Sequence, residues 1–507
     1  MPLARACGAV PSGVSATLVT VEVDVARGLP SVGIVGLAQA SVAEARWRVR
    51  SAVENAGLTW PGSRITVGLS PADIPKSGTS LDLAIAVGML RATGQVPPSC
   101  RELGARALFL GELGLDGRVN PIRGALAAAL VARRSGIEMV VAPLGNAPEL
   151  EVMPGIATAY ITDLAHLARV LRDQDHGRPI DPSQLAQAPD TEPDFAEVRG
   201  HDHARYALQV AAAGGHHCSM IGPPGAGKTL LAIRLPSILP DLDDELCLEV
   251  TAIQALVGRL PVTGGLVRRP PFVAPHHSAS AVAILGTVRG AQAVPGALTM
   301  AHGGVLFLDE APEFNRAALE GLRQPLEASS VSIMRAGFAV SLPARFQLVL
   351  AANPCPCGLG TGRGEHCRCT SMVRRRYAAR LSGPLLDRID IRLAVHRPTA
   401  GELRSGSSEP SSVMAERVRQ ARLRARRRYD GYPWILNAEV PGSALRRDWS
   451  PDLSGQQILE QLTDSRMSLR GIDRVLRLAW TVADLAGVDR PGADQVAIAA
   501  GLRAPEA

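Results

Sequence analysis

Between a short apolar run, Cys218-Ser219-Met220-Ile221, and the helix-forming Leu230-Leu231-Ala232-Ile233 stands Gly222-Pro223-Pro224-Gly225-Ala226-Gly227-Lys228-Thr229. A chain that passes from strand to helix through so many glycines leaves backbone N–H groups unpaired and turned inward. Such a loop closes around phosphate oxygens. The spacing puts Lys228 within reach of the β- and γ-phosphates of a nucleotide and gives the Thr229 hydroxyl to Mg²⁺. The loop therefore predicts a parallel α/β sheet with a nucleotide at its carboxyl edge. Lysine usage supports this. Of 54 basic residues only Lys76 and Lys228 are lysines. A tight phosphate loop is one place where a compact point charge resists replacement by arginine.

At 507 residues the chain is long enough for two to four domains. Its net charge of +6 is compatible with an anionic partner, while aromatics at 3% argue against a surface built on base stacking. No stretch of 18 apolar residues exists and the N-terminus lacks an apolar signal core, so neither a membrane span nor secretion is expected. Of eight cysteines, four fall within 355–369. This is one local cluster in a reduced compartment rather than a disulfide framework, and a cytoplasmic location is expected.

Residues 1–171 alternate strand-like and helix-like runs, such as Leu18–Val25, Val42–Ala56 and Ile65–Leu69. Asp73-Ile74-Pro75-Lys76-Ser77-Gly78-Thr79-Ser80 and Gly117-Arg118-Val119-Asn120-Pro121-Ile122-Arg123-Gly124 resemble the proteolytic domain of Lon-type proteases. The resemblance puts the nucleophile at Ser80. Its lysine base would fall near Leu126, where Ala125-Leu126-Ala127-Ala128 offers none. A serine without a base is inert at neutral pH. A Lon-like fold without proteolysis is expected, with Ser80 as a helix N-cap. Lys76 is either a loop cation with a local partner or an accident. Residues 172–195, rich in Asp, Pro and Gln, read as a linker.

An ATPase core is expected over residues 196–398. Val305-Leu306-Phe307-Leu308 followed by Asp309-Glu310 is a buried strand that delivers two carboxylates at its end. Asp309 is suited to the Mg²⁺ shell and Glu310 to orienting or deprotonating water. The strand Phe346–Ala352 ends at Asn353, an amide able to bond the attacking water or the γ-phosphate, or else a turn residue before Pro354. Between the two strands, Val331–Leu342 alternates about Gly337 and reads as a β-hairpin. Arg268–Gly304, with Pro275-His276-His277-Ser278, reads as an insert; its adjacent histidines are poor metal ligands. Cys355-Pro356-Cys357, nine residues, then Cys367-Arg368-Cys369 place two C-x-C pairs on one loop, suited to a structural Zn²⁺ with His366 to spare.

Arg388, in Leu385-Leu386-Asp387-Arg388-Ile389-Asp390, follows the sensor strand. It is placed to reach a neighbouring subunit's γ-phosphate, a contact that can contribute about 10³–10⁵ in rate, or to pair locally with Asp387 or Asp390. Residues 399–507 are expected to form a helical lid. Its basic helix Val413–Tyr429 carries seven arginines, a solvated face or a nucleic-acid contact. Arg470, at the head of a later helix, is a candidate sensor of the γ-phosphate, with Arg474 as the alternative.

Taken in order, these features resemble an AAA+ ATPase, and the insert and hairpin resemble the group containing magnesium-chelatase ATPase subunits and MCM helicases. Ala274-Pro275-His276-His277-Ser278, Asn353-Pro354-Cys355-Pro356-Cys357-Gly358 and Leu381-Ser382-Gly383-Pro384-Leu385-Leu386-Asp387-Arg388-Ile389-Asp390, with the Lon-like domain, resemble the bacterial ComM/YifB family over nearly the whole chain. The stretch Gly286-Thr287-Val288-Arg289-Gly290 is thinner in glycine than that family leads one to expect. The resemblance implies a hexameric ring that hydrolyses ATP with Mg²⁺ and drives branch migration of single-stranded or branched DNA. It would use the Ile333–Val340 hairpin, with Arg335 as a phosphate contact, or the insert. A chelatase motor and an ATP-dependent scaffold are the competing expectations.

Overall fold

The computed structural model describes residues 3–36, 40–72, 76, 78–96, 106–172, 192–260, 265–289, 292–335, 338–360, 367–404, 409–464 and 467–503. The expected linker lies mostly outside them, as do Ser77, Gly290, His366 and the hairpin tip at Ala336-Gly337.

The N-terminal domain is built on a seven-stranded mixed sheet. Its order is Ser31–Val35, Arg64–Ser70, Ser15–Ala26, Ala4–Ser12, Ala107–Phe109, Met139–Pro143, Ala157–Ile161. Period-two burial along Ser15–Ala26, with Val19, Val21, Val23 and Val25 inward, packs this sheet against the apolar helix Asp82–Ala92. Ser80 is not the N-cap of that helix. Leu81 holds that position without a side-chain cap, and the buried Ser80 hydroxyl donates to the Ala9 carbonyl at 2.8 Å. The helix is anchored instead by Asp82, whose carboxylate pairs with Arg48 at 2.7 Å. Leu126, where the protease base would stand, is sealed in an apolar cluster. Lys76 is buried as well.

The second sheet has five parallel strands in the order Phe272–Val273, Val305–Leu308, Gln347–Ala352, Cys218–Ile221, Ile391–Ala394. The two strands at its heart, Val305–Leu308 and Gln347–Ala352, are buried at every residue, which explains why all but Gln347 are apolar. Between the second strand and the sensor strand the chain adds two antiparallel hairpins, Gly286–Arg289 with Gln292–Pro295 and Ser330–Arg335 with Phe338–Pro343. The expected insert is therefore a short helix, Ala281–Leu285, feeding a hairpin.

Four helices of the lid are Ser411–Arg428, Leu453–Asp464, Leu469–Ala486 and Ala493–Arg503. Along the first, Met414, Val418, Ala421 and Ala425 recur at helical spacing, and all four are buried. Five of its seven arginines are exposed, while Arg422 and Arg428 are half-buried, and three of the seven bond neighbouring helices. Arg422 and Arg424 donate to the Ala212 and Asp484 carbonyls at 2.7 and 2.6 Å, and Arg428 pairs with Asp484 beneath the Trp480 ring. Phe195, fully buried, ties the start of the core to this helix through its N–H on Ser411 Oγ. The two domains meet where Leu248 and Ala252 of the Asp244–Leu256 helix enter the N-terminal apolar cluster. No helix among the described residues is long and apolar enough to cross a membrane.

Candidate nucleotide site and the arginine edge

Three of the predicted features converge at the carboxyl edge of the five-stranded sheet. The loop leaves the Cys218–Ile221 strand, and Gly225 and Gly227 adopt φ of +73° and +86°, where a side chain would strain the turn. The helix Lys228–Arg234 starts at once. The Lys228 ammonium donates to the Gly222 and Pro223 carbonyls at 2.7 and 3.0 Å and to Asn353 Oδ1 at 3.1 Å. Burial pushes its pKa below the ordinary value, against the pull of Asp309 and Glu310. Thr229 Oγ1 donates to Asp309 Oδ2 at 2.7 Å. A hydroxyl and a carboxylate so close, at the foot of a phosphate loop, form the oxygen pair that a Mg²⁺ ion takes. Lysine, loop amides and this oxygen pair fit MgATP.

Glu310 is one of three residues other than glycine with positive φ among those described, at +51°. The turn directs its carboxylate to His277, whose Nδ1 lies 3.2 Å away. His276 bonds Ser278 instead, at 2.7 Å. The two imidazoles thus have different partners, and one of them holds the acid of the acidic strand. Sequence reasoning missed this pairing. It also missed Arg397, which donates to the Pro224 carbonyl at 2.8 Å, and His201, whose ring stands beside Gly227 and is kept below its ordinary pKa by burial. Only the Pro-His-His-Ser run carried a signal for any of them.

Beyond Asn353, the four cysteine sulfurs lie within 4.8 Å of one another. Cys355 and Cys357 are 3.3 Å apart, and each is 3.7 Å from Cys367. Tetrahedral Zn²⁺ with bonds of about 2.3 Å spaces its sulfurs about 3.8 Å apart, so the cluster fits one ion. N–H groups, Leu359 first, draw the Cys357 thiol down to about 6, with Cys355 and Arg368 contributing.

Arg388 and Arg470 stand elsewhere. They line a cavity of about 950 Å³ with Arg345, Arg422, Arg474 and Arg477. Its other walls include Gly215, Gly304, Gln347 and Asp390, which precede or begin the core strands. The cavity therefore opens on the amino edge of the sheet, opposite the phosphate loop. Arg388 pairs with neither Asp387 nor Asp390. It donates to the Pro384 carbonyl at 2.6 Å and pairs with Glu327. Asp390 is taken by His216, at 3.1 Å, and by Arg474. His216 in turn bonds Thr481 at 2.7 Å, pinning the lid to this edge. Arg470 is exposed. Nε of Arg388, Nε of Arg474 and Nε1 of Trp434 are buried here without hydrogen-bond partners.

Comparison with known proteins agrees with this architecture. The family described as magnesium chelatase, subunit ChlI, matches residues 194–403; its ChlI and C-terminal companions match 21–146 and 408–503. An uncharacterized protein of Mycobacterium tuberculosis is 45% identical over 504 residues, 99% of both chains. Uncharacterized protein YifB of Escherichia coli is 39% identical over 93% of this chain and 91% of its own. Competence protein ComM of Haemophilus influenzae is 36% identical over 99% and 98%. Within one domain, Lon protease 1 of Bacillus subtilis is 35% identical over 101 residues, 19% of this chain and 12% of that one.

Proposed function

The chain belongs to the ComM/YifB family of magnesium-chelatase-like AAA+ ATPases, and on that premise we propose that it is a ring-forming motor that moves single-stranded or branched DNA. One observation carries the reading: phosphate loop, acids and sensor amide occupy one edge of the sheet, while Arg388 and Arg470 occupy the other. A subunit so divided completes an ATP site only by lending its arginine edge to a neighbour, and a closed ring, a hexamer in this proposal, repeats that contact.

Within the site, Lys228 and the amides of Gly222–Thr229 hold the β- and γ-phosphates. Thr229 and Asp309 hold Mg²⁺, which neutralises charge on the phosphate oxygens. Glu310, once released from His277, orients and deprotonates water, and Asn353 fixes that water. Arg388 of the adjoining subunit stabilises charge developing on the γ-phosphate, and Arg470 senses it. The Ser330–Arg335 and Phe338–Pro343 hairpin, with Arg335 near its tip, is the DNA-facing element. The four cysteines hold a structural Zn²⁺. The DNA role proposed is in recombination or natural transformation, in the cytoplasm; the name competence protein, borne by one relative, supports it.

ATP hydrolysis and migration of a synthetic four-way junction at low salt, in wild type, Lys228→Ala and Arg388→Ala, test the proposal. Hydrolysis that DNA does not stimulate, with no junction movement, overturns it. The chelatase reading draws on the magnesium-chelatase description of the matched families. ATP-dependent metal insertion into porphyrin with added partner subunits would favour it. A scaffold would keep its function in Glu310→Gln.

A further inference from the structure

The cysteine cluster lies against the nucleotide site. Cys355 follows two residues after Asn353, whose side chain already touches Lys228 at 3.1 Å. The Cys355–Gly358 turn is closed by the Gly358 N–H on the Cys355 carbonyl at 2.9 Å. Gly358, at φ +75°, rests on the phosphate loop itself. A Cβ there would stand 2.4 and 2.6 Å from Cδ and Cγ of Pro224. Arg397 donates to the Pro224 carbonyl at 2.8 Å. Pro224 thus touches both the cysteine turn and Arg397. The turn has one buried thiol, Cys355, and three half-buried thiols brought from a second segment and from its own tip. Four thiol groups at ligand spacing, drawn from two segments, fit one bound ion that would lock those segments to each other.

We propose that the four cysteines form a zinc clamp that presses the Cys355–Gly358 turn onto Pro224, so that nucleotide affinity depends on a metal that makes no contact with the nucleotide. This rests on the zinc and nucleotide assignments above and adds a coupling between them. The ion fixes Cys355, Cys355 fixes the turn, and Gly358 transmits that position to the loop backbone around the phosphates. Zinc acts here without redox change or hydrolysis; its work is to hold geometry.

The test uses the purified full-length chain. Metal content is read by mass spectrometry of the elements, and affinity by the fluorescence of a ribose-labelled ATP with no DNA present. Wild type is expected to carry one equivalent of zinc. Cys367→Ser should lose the metal and bind the nucleotide roughly tenfold more weakly, the scale set by removing a supporting partner. Gly358→Ala retains all four thiolates and should keep its zinc, yet lose affinity by a similar factor, because the added methyl group displaces Pro224. If Cys367→Ser fails to fold, wild type measured before and after a chelator removes its zinc decides in its place, with unchanged nucleotide affinity overturning the clamp. Wild-type protein that binds nucleotide but no zinc overturns the metal site and the clamp together. Zinc present, with both variants binding nucleotide as tightly as wild type, overturns the clamp and leaves the metal site standing. Wild type that binds zinc but no nucleotide overturns the nucleotide reading, and the clamp falls with it. DNA enters none of these measurements, so a failure of the DNA-motor reading is separate.

Discussion

The two edges of the five-stranded sheet are opposites in chemistry. At the carboxyl edge every strong charge has a partner: Lys228 sits among carbonyls and Asn353, Thr229 bonds Asp309, and His277 holds Glu310. At the amino edge six arginines line one cavity, and two of them keep buried N–H groups without acceptors. One edge is a site at rest; the other sets its six arginines among six carboxylates, Asp241, Asp243, Glu327, Asp390, Glu439 and Asp473, and still leaves two buried guanidinium N–H groups unmatched. An unpaired buried donor costs about 1–3 kcal/mol, so those two N–H groups gain from any acceptor that reaches them. In the ring proposed above, the contrast would make the seam between two chains the catalytic unit.

The sharpest way to break that contrast is to mix defective subunits. Lys228→Ala and Arg388→Ala should each lose hydrolysis by about 10³-fold or more. Mixed together, they should recover part of it, because some seams then pair an intact loop with an intact arginine. A mixture as inactive as either parent would mean that both residues serve one chain's site. Next in size, Glu310→Gln should lower kcat by about 10²–10⁴-fold while leaving ATP binding in place. Loss of both together would show that the acid also holds the nucleotide.

A stability measurement probes the arginine edge alone. Burial pushes the His217 imidazole from 6.5 down to about 4. The folded chain keeps it neutral, whereas the unfolded chain takes up a proton below its ordinary pKa. Its contribution is therefore complete above pH 6.5 and is lost as pH falls toward 4, by about 3 kcal/mol in all. Asp390 adds a loss at lower pH, below its ordinary value of 3.8 and so outside the range from pH 7 to pH 5. Although burial opposes it, His216 and Arg474 hold its carboxyl far below the usual range. Urea midpoints should fall from pH 7 to pH 5, and His217→Asn should flatten part of that slope. An unchanged slope would mean that the buried imidazole is reached by water. The smallest effect is expected from Glu327→Gln. Its carboxylate is two-thirds exposed, so losing the pair with Arg388 should cost under about 1 kcal/mol in thermal stability. A larger loss would show that Arg388 depends on this tether for its position.

What could be read from the residues follows from how local each feature is. The phosphate loop and the ends of the acidic and sensor strands were legible because each is one continuous segment. An apolar run closed by polar residues has few other uses. The hairpin before the sensor strand and the cysteine spacing were legible for the same reason. Pairings across the chain were not. His277 and Glu310 stand 33 positions apart in the chain, and no periodicity announces their pairing. Arg388 has two aspartates beside it in sequence, yet Asp390 is buried against His216 and Arg474, and the exposed Glu327 takes the arginine. Ser80 failed as a cap because the helix begins two residues later and the hydroxyl is turned into the sheet. Leu126 was informative through its burial: an apolar side chain, sealed in a cluster, stands where the resemblance to Lon-type proteases expects a base.

Both lysines of the chain are buried, Lys228 at 8% and Lys76 at 1% exposure. The positive surface is therefore guanidinium throughout, and arginine keeps its proton to about pH 12 and beyond. Attraction for a polyanion should hold constant across the alkaline range where an amine-coated protein loses its grip. The same scarcity makes the native chain nearly blind to acylating reagents. In a time course of amine labelling, modification at Lys228 becomes a clock for the opening of the phosphate loop, with Lys76 as the reference buried in the other domain.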